Sequence, residues 1–286
     1  MTSVALMLVL SAAFFHASWN YIAKRAGGGV AFIWLFSLGT VLLGAPIVAC
    51  HISFMGAAIT LNQILFMMGS AILHVVYFVM LIRGYASGDL SLVYPLSRGT
   101  GPMLSITAAV IFLGERPSAL AVVGALFIIS GVGLLLWHPE KSYARQKSLA
   151  IAYGLLTGAS IAGYTLWDKY AVSTAAVPPL HLFWGAMLGQ VIMLAPFVAR
   201  RRAELAVQLK AQLRRIVAVA ILCPVSYVLV LTALVFTPVS YVAPAREISI
   251  LIGTAMGTRF LAEGSARARL TGATFMVLGV TGLALG

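Results

Sequence analysis

The chain has 286 residues, 61% of them hydrophobic and only 9% charged, with a net charge of +12. Soluble domains carry roughly 25% charged residues, so the composition excludes an ordinary soluble fold and points to an integral membrane protein. Its apolar runs are long enough to cross a ~30 Å hydrocarbon layer, and none alternates as the strands of an outer-membrane barrel do, which leaves a helical bundle.

Ten spans are predicted: 3–23, 30–50, 62–82, 90–113, 118–137, 148–168, 178–199, 216–236, 239–261 and 270–286. The first begins "MTSVALMLVLSAAFF" without a basic leader, so it reads as a retained span rather than a cleaved signal. In span 1, His16, Asn20 and Lys24 stand four residues apart on one helical face, with Trp19 beside them. Span 2 ends at Cys50. Span 3 carries His74 and Tyr77, and span 4 carries Tyr94, Pro95 and Arg98. Span 6 repeats the polar stripe as Ser160, Tyr164 and Asp168. Lys24 and Asp168 both stand near span ends, where charged side chains ordinarily snorkel to the interface. Gly185 and Gly189 in span 7, like Gly253 and Gly257 in span 9, are spaced for close helix packing. The connection "RRRAELAVQLKAQLRR" (200–215) sets Leu205, Leu209 and Leu213 among basic residues, and predicts an amphipathic helix lying on anionic lipid heads. Span 8 holds Cys223 and Tyr227, and span 9 holds Tyr241, Pro244, Arg246 and Glu247. The two cysteines offer no disulfide framework or metal spacing and read as small hydrophobes.

The chain repeats internally. "AILHVVYFVMLIRGYASGDLSLVYP" (71–95) aligns with "AILCPVSYVLVLTALVFTPVSYVAP" (220–244) at an offset of 149, and Glu115, Gly124, Phe127 and Gly131 match Glu263, Gly272, Phe275 and Gly279 at 148. The reading is all-α, with ten transmembrane helices as two five-helix repeats: residues 1–137, a basic connecting loop at 138–147, and residues 148–286. Five is odd, so the second repeat is expected to be inverted. Inverted repeats mark secondary transporters whose substrate site lies near the midplane.

Lys and Arg orient the bundle. With Arg98 and Arg246 set aside, 15 of the other 17 fall in or beside the connections after spans 1, 3, 5, 7 and 9. The positive-inside rule makes that side cytoplasmic and both termini extracytoplasmic. The same distribution assigns the positive charge to orientation and anionic lipid rather than to nucleic acid.

Arg98 and Glu247 are matched by the repeat, and each follows a proline by three residues. Proline frees a backbone carbonyl and kinks a helix. A charge at the bilayer centre costs at least about 2.5–3.5 kcal/mol and must face a cavity or a partner. Two readings follow: a static Arg98–Glu247 or Arg246–Glu247 brace between the halves, or charges that meet substrate. Glu247, desolvated near the midplane, is the candidate carrier of a coupling proton. His16, Trp19, Asn20, His74, Tyr77, Tyr94, Arg98, Tyr164, Tyr227 and Arg246 are the candidate substrate-binding residues. No phosphate-binding loop, HExxH, CxxC pair, EF-hand or nucleophile elbow is visible, so neither ATP hydrolysis nor an enzyme is predicted, and no cofactor or metal.

The segments "HASWNYIAK", "GDLSLVYPLSRGTGP", "LGERPS", "YTLWDKYAV" and "VAPAREISI" resemble the EamA branch of the drug/metabolite transporter superfamily. The resemblance covers essentially the whole chain. It implies an inverted 5+5 arrangement, a central cavity lined by spans 1, 3, 4, 6, 8 and 9, and transport of small metabolites, often export of amino acids or related amphiphiles, commonly proton-linked. Gly264 departs from the bulkier residue usual in the second-half loop, and the family is usually drawn with cytoplasmic termini, against the charge count. The expectation is an inner-membrane exporter working by alternating access. A lipid-carrier flippase on the same fold is the alternative, and a membrane-embedded enzyme the remoter one.

Overall fold

The computed structural model describes residues 3–27, 29–55, 59–113, 118–137, 144–173, 175–236, 245–263 and 265–285. Glu115, Tyr241, Pro244 and Gly264 lie outside them. Ten helices and no strand fall among the described residues. These are α1 (Ser3–Ala26), α2 (Gly29–Met55), α3 (Leu61–Ser87), α4 (Leu90–Leu113), α5 (Ala119–Trp137), α6 (Ala144–Ser173), α7 (Pro179–Ala199), α8 (Arg202–Phe236), α9 (Ile248–Phe260) and α10 (Ala266–Leu285). In hydrocarbon every backbone N–H and C=O must be satisfied internally, which the helix does within one segment. Helices α1, α2, α3, α6, α7 and α8 are long and apolar enough to cross a membrane.

Polarity runs opposite to that of a soluble protein. Leu42, Ile47, Phe54, Ile192 and Phe197 are exposed, whereas Asn20, His74, Arg98, Asp168 and Glu247 are buried. A bilayer solvates the first set and the bundle interior must satisfy the second.

Side-chain contacts fix how the helices run. Trp34 Nε1 on α2 donates to the Val191 carbonyl on α7 (3.0 Å), and Trp184 Nε1 on α7 donates to the Val41 carbonyl on α2 (3.1 Å). Residue numbers rise along one helix as they fall along the other, so the pair is antiparallel. Helices α5 and α10 cross in the same way. The Phe127 and Phe275 rings stand 5.2 Å apart, and backbone meets backbone at the glycines. A Cβ on Gly131 would lie 2.7 Å from the Gly272 carbonyl oxygen, and one on Gly279 would lie 2.6 Å from that of Gly124. The remaining packing exchanges in kind: α1 lies on α8 as α6 lies on α3, and α9 lies on α1 as α4 lies on α6.

One end of the bundle gathers the basic connections. The Lys24 ammonium at the end of α1 donates to the Tyr85 and Gly88 carbonyls at the end of α3. Arg215 donates to the Arg25 carbonyl. Arg269 pairs with Asp89 at 3.2 Å, and Glu263 accepts from the first two amides of α4, Leu90 and Ser91, at 2.9 and 2.8 Å. That last contact satisfies amides a helix start leaves open. At the opposite end, His51 of α2 meets His181 of α7, their nitrogens 2.9 Å apart.

Three expectations are corrected. Residues 202–215 are no separate surface helix: they are the first turns of the 35-residue α8. The stretch "AELAVQLKAQL" contains strong helix formers and no breaker, so the helix runs straight into the span, with Leu205 packed on the core and Leu209 and Leu213 exposed. Lys24 does not snorkel, because it caps α3. Asp168 does not either, being 1% exposed.

Candidate functional site

The site is built where two halves of the sequence meet. Arg98 projects from α4, and Glu247 stands at the N-terminal boundary of α9, a 13-residue helix. Glu247 therefore sits at a turn between the helical residues Ala245 and Arg246 and the start of α9, whereas Arg98 lies within the continuous α4. A helix N-terminus also favours a carboxylate. Arg98 Nη2 and Glu247 Oε1 lie 2.8 Å apart, with side chains 3% and 2% exposed. Arg246 Nε approaches the same oxygen at 3.6 Å. One carboxylate thus faces two guanidinium groups, and the cluster carries one positive charge in excess. Glu247 Oε2 and Arg98 Nε have no hydrogen-bond partner.

Two small adjoining cavities open beside this pair. Arg98, Arg246, His16, Tyr164, Ser226 and Tyr227 line the first, of about 10 Å³. The second, of about 20 Å³, is aromatic: Trp19, His74, Tyr77, Tyr164, Phe183 and Tyr227 line it, together with His16 and Cys223. Each has room for about one water molecule, so neither admits a solute in this conformation. His74 stacks on Tyr164 with ring centroids 4.6 Å apart, and Phe183 lies 5.2 Å from Tyr227. Aromatic groups here offer both π faces and hydroxyls to a guest.

The structure thus gathers His16, Trp19, His74, Tyr77, Arg98, Tyr164, Tyr227 and Arg246 around the two cavities, with Glu247 behind Arg98. Tyr94 is one layer out, its ring 6.0 Å from that of His16 and its edge against Gly253. Asn20 is not among the lining residues. Its amide donates to the His16 carbonyl and its oxygen accepts from the Tyr85 hydroxyl, so its polar capacity is spent on packing α1 against α3.

Asp168 joins the site from α6. The Tyr227 hydroxyl donates to Oδ2, and His74 Nε2 lies 4.0 Å from the same oxygen. Its four-residue spacing from Tyr164 was a signal for this placement, but its nearness to the span end argued for the interface. The His51–His181 contact had no sequence signal at all, since the two residues are 130 apart and share no motif. Among the described residues no group of three or more His, Cys, Asp or Glu side chains could hold a metal.

The sequence profile of the EamA-like transporter family matches residues 148–285. That half of the chain belongs to the EamA-like transporter family. The family lies within the drug/metabolite transporter superfamily, and with six helices able to cross a bilayer the chain is a multi-pass membrane protein. Comparison with curated proteins gives no match.

Proposed function

We propose that this EamA protein is a secondary transporter that exports small metabolites, such as amino acids or related amphiphiles, by alternating access. The observation that carries the reading is the buried Arg98–Glu247 pair, contributed by two halves of the chain and flanked by two small cavities. A buried ion pair between two rigid groups of helices is a bistable element, because a ligand that competes for one partner changes which packing is favoured. The excess guanidinium suits a substrate carboxylate, and the ring-lined cavity suits its apolar part. Glu247, held between Arg98 and Arg246, then acts as the gate whose place the substrate carboxylate takes.

The inverted repeat is part of this proposal. Its support is the exchange of antiparallel partners. A two-fold axis that swaps α2 with α7, and Trp34 with Trp184, must run perpendicular to those helices, in the membrane plane. That geometry is the one that lets two halves rock about a midplane site.

One observation favours a lipid carrier as the second reading. A groove of about 360 Å³ between α2, α7 and α8 is lined by Gly44, Trp184, Pro224 and Val228 and is almost wholly apolar. Phe183 borders both this groove and the aromatic cavity, so a turn of one ring would join lipid to the interior.

The deciding experiment compares metabolites inside and outside cells that lack or overproduce the protein. A water-soluble solute that rises outside on overproduction and inside on deletion supports the exporter. An unchanged solute profile with an altered distribution of a lipid-linked compound between leaflets supports the carrier reading instead.

A further inference from the structure

We propose that His74 and Asp168, rather than Glu247, hold the proton that couples transport. The proposal rests on the transporter reading, but concerns a cluster that reading does not use. Two buried carboxylates lie near the cavities, and their surroundings differ. Glu247 has guanidinium groups at 2.8 and 3.6 Å. A proton placed on it would leave the buried Arg98 and the half-buried Arg246 without a counter-charge, which is unfavourable. Asp168 has no such partner among the described residues. Its Oδ2 accepts from the Tyr227 hydroxyl, and its Oδ1, fully buried, has no hydrogen-bond partner.

The histidine is set to share a proton with it. His74 Nδ1 lies 2.9 Å from the Ser70 carbonyl oxygen. The Ser70 hydroxyl lies 3.2 Å from the same nitrogen; in the tautomer in which Nδ1 donates to the closer carbonyl, the other nitrogen, Nε2, faces Asp168 at 4.0 Å without a hydrogen. Unprotonated, that arrangement points a lone pair at a carboxylate. One added proton, on Nε2 or on the carboxyl, turns the same contact into an attractive one. The groups that face the dyad are Tyr227 of α8, Tyr77 of α3 and Tyr164 of its own helix, with Arg98, Arg246 and Glu247 beyond Tyr164. His74 lines the cavity, whereas Asp168 lies five residues before the end of α6, about 7.5 Å along the helix axis. The dyad therefore stands between the cavity and one membrane face. In the coupling step the dyad takes up one proton from one side and releases it to the other, and no bond besides N–H or O–H is made or broken.

The test uses protons as the only probe, so it is independent of substrate. The purified full-length protein in nanodiscs is titrated by infrared difference spectroscopy in the carbonyl stretch of protonated carboxylic acids. With only seven Asp and Glu residues in the chain, the assignment is tractable. The expected result is a band that appears as pH falls, is lost in Asp168→Asn and persists in Glu247→Gln. If Asp168→Asn does not fold, Asp168→Glu keeps an acid in place and is expected to shift the band in wavenumber. A band that survives Asp168→Asn or is unmoved in Asp168→Glu overturns the proposal, as does one lost in Glu247→Gln, or the absence both of any titrating carboxylic band and of a titrating imidazole ring mode that His74→Gln removes. None of those outcomes bears on whether the protein exports a solute, which the metabolite comparison decides separately.

Discussion

Arg98 and Glu247 form the contact whose energetics are most exposed to test. A buried pair gains little over a well-packed apolar pair of the same volume, yet removing one partner costs about 3–5 kcal/mol because the other charge is left unpaired. Glu247→Gln strands Arg98 and Arg246 together, so thermal stability and membrane yield are expected to fall. The double change Arg98→Gln/Glu247→Gln is expected to recover most of that loss. Melting temperature by tryptophan fluorescence or by light scattering from aggregation reads both. If the double variant is as unstable as the single one, the pair is not the source of the loss. For the gate reading, the recovered double variant should be folded and export nothing, since the excess guanidinium no longer has a partner to exchange.

Elements decide how much of this was legible in the sequence. Membrane spans are written in hydropathy, so eight of the helices fall close to their predicted ranges, and α4 coincides with its own. Spans 8 and 9 were the exceptions. The apolar run of span 9 continues through Arg246 and Glu247, but a turn at Glu247 interrupts the helix there, and hydropathy does not register a break in backbone geometry. The run at 200–215 failed for the opposite reason: charge ended the apolar window while helix propensity carried on. The site residues on α3, α4, α6 and α8 were legible because a polar group inside a span has few places to go. The partners of Asn20 and Asp168 were not, because they depend on which helices touch.

The glycines of α5 and α10 give this scale its prediction. Gly131 faces Gly272 backbone, which cannot move aside, whereas Gly133, two residues on, has nothing within 4 Å of a new Cβ. Overpacking a closed contact costs typically 1–3 kcal/mol. Gly131→Leu is therefore expected to lower the melting temperature clearly and Gly133→Leu to leave it nearly unchanged. Equal effects of the two would mean that α5 and α10 do not cross at those glycines.

Orientation belongs to the whole molecule. Lys24, Arg215 and Arg269 bring the ends of α1 and α3 and the connections before α8 and α10 to one end of the bundle. In the sequence the connections after spans 1, 3, 7 and 9, to which these contacts belong, are rich in basic residues, and the connections on the His51–His181 side are poor in them. Translocating a loop rich in Lys and Arg is unfavourable, so such loops remain in the cytoplasm. On the ten-span reading the chain alternates sides with each span, and the tail returns to the side of the first residue. A reporter active only outside the cytoplasm is thus expected to be active when fused at the C-terminus and silent when inserted at 200–215, and a cytoplasmic reporter should give the complementary pattern. A C-terminal reporter that is active only in the cytoplasm would turn the whole bundle over. It would place the basic end outside, and the protein would then be held against its own charge bias by packing between the halves rather than by its loops. The His74–Asp168 dyad would keep its position relative to the cavity but face the cytoplasm, and the direction of the proton step would reverse with it.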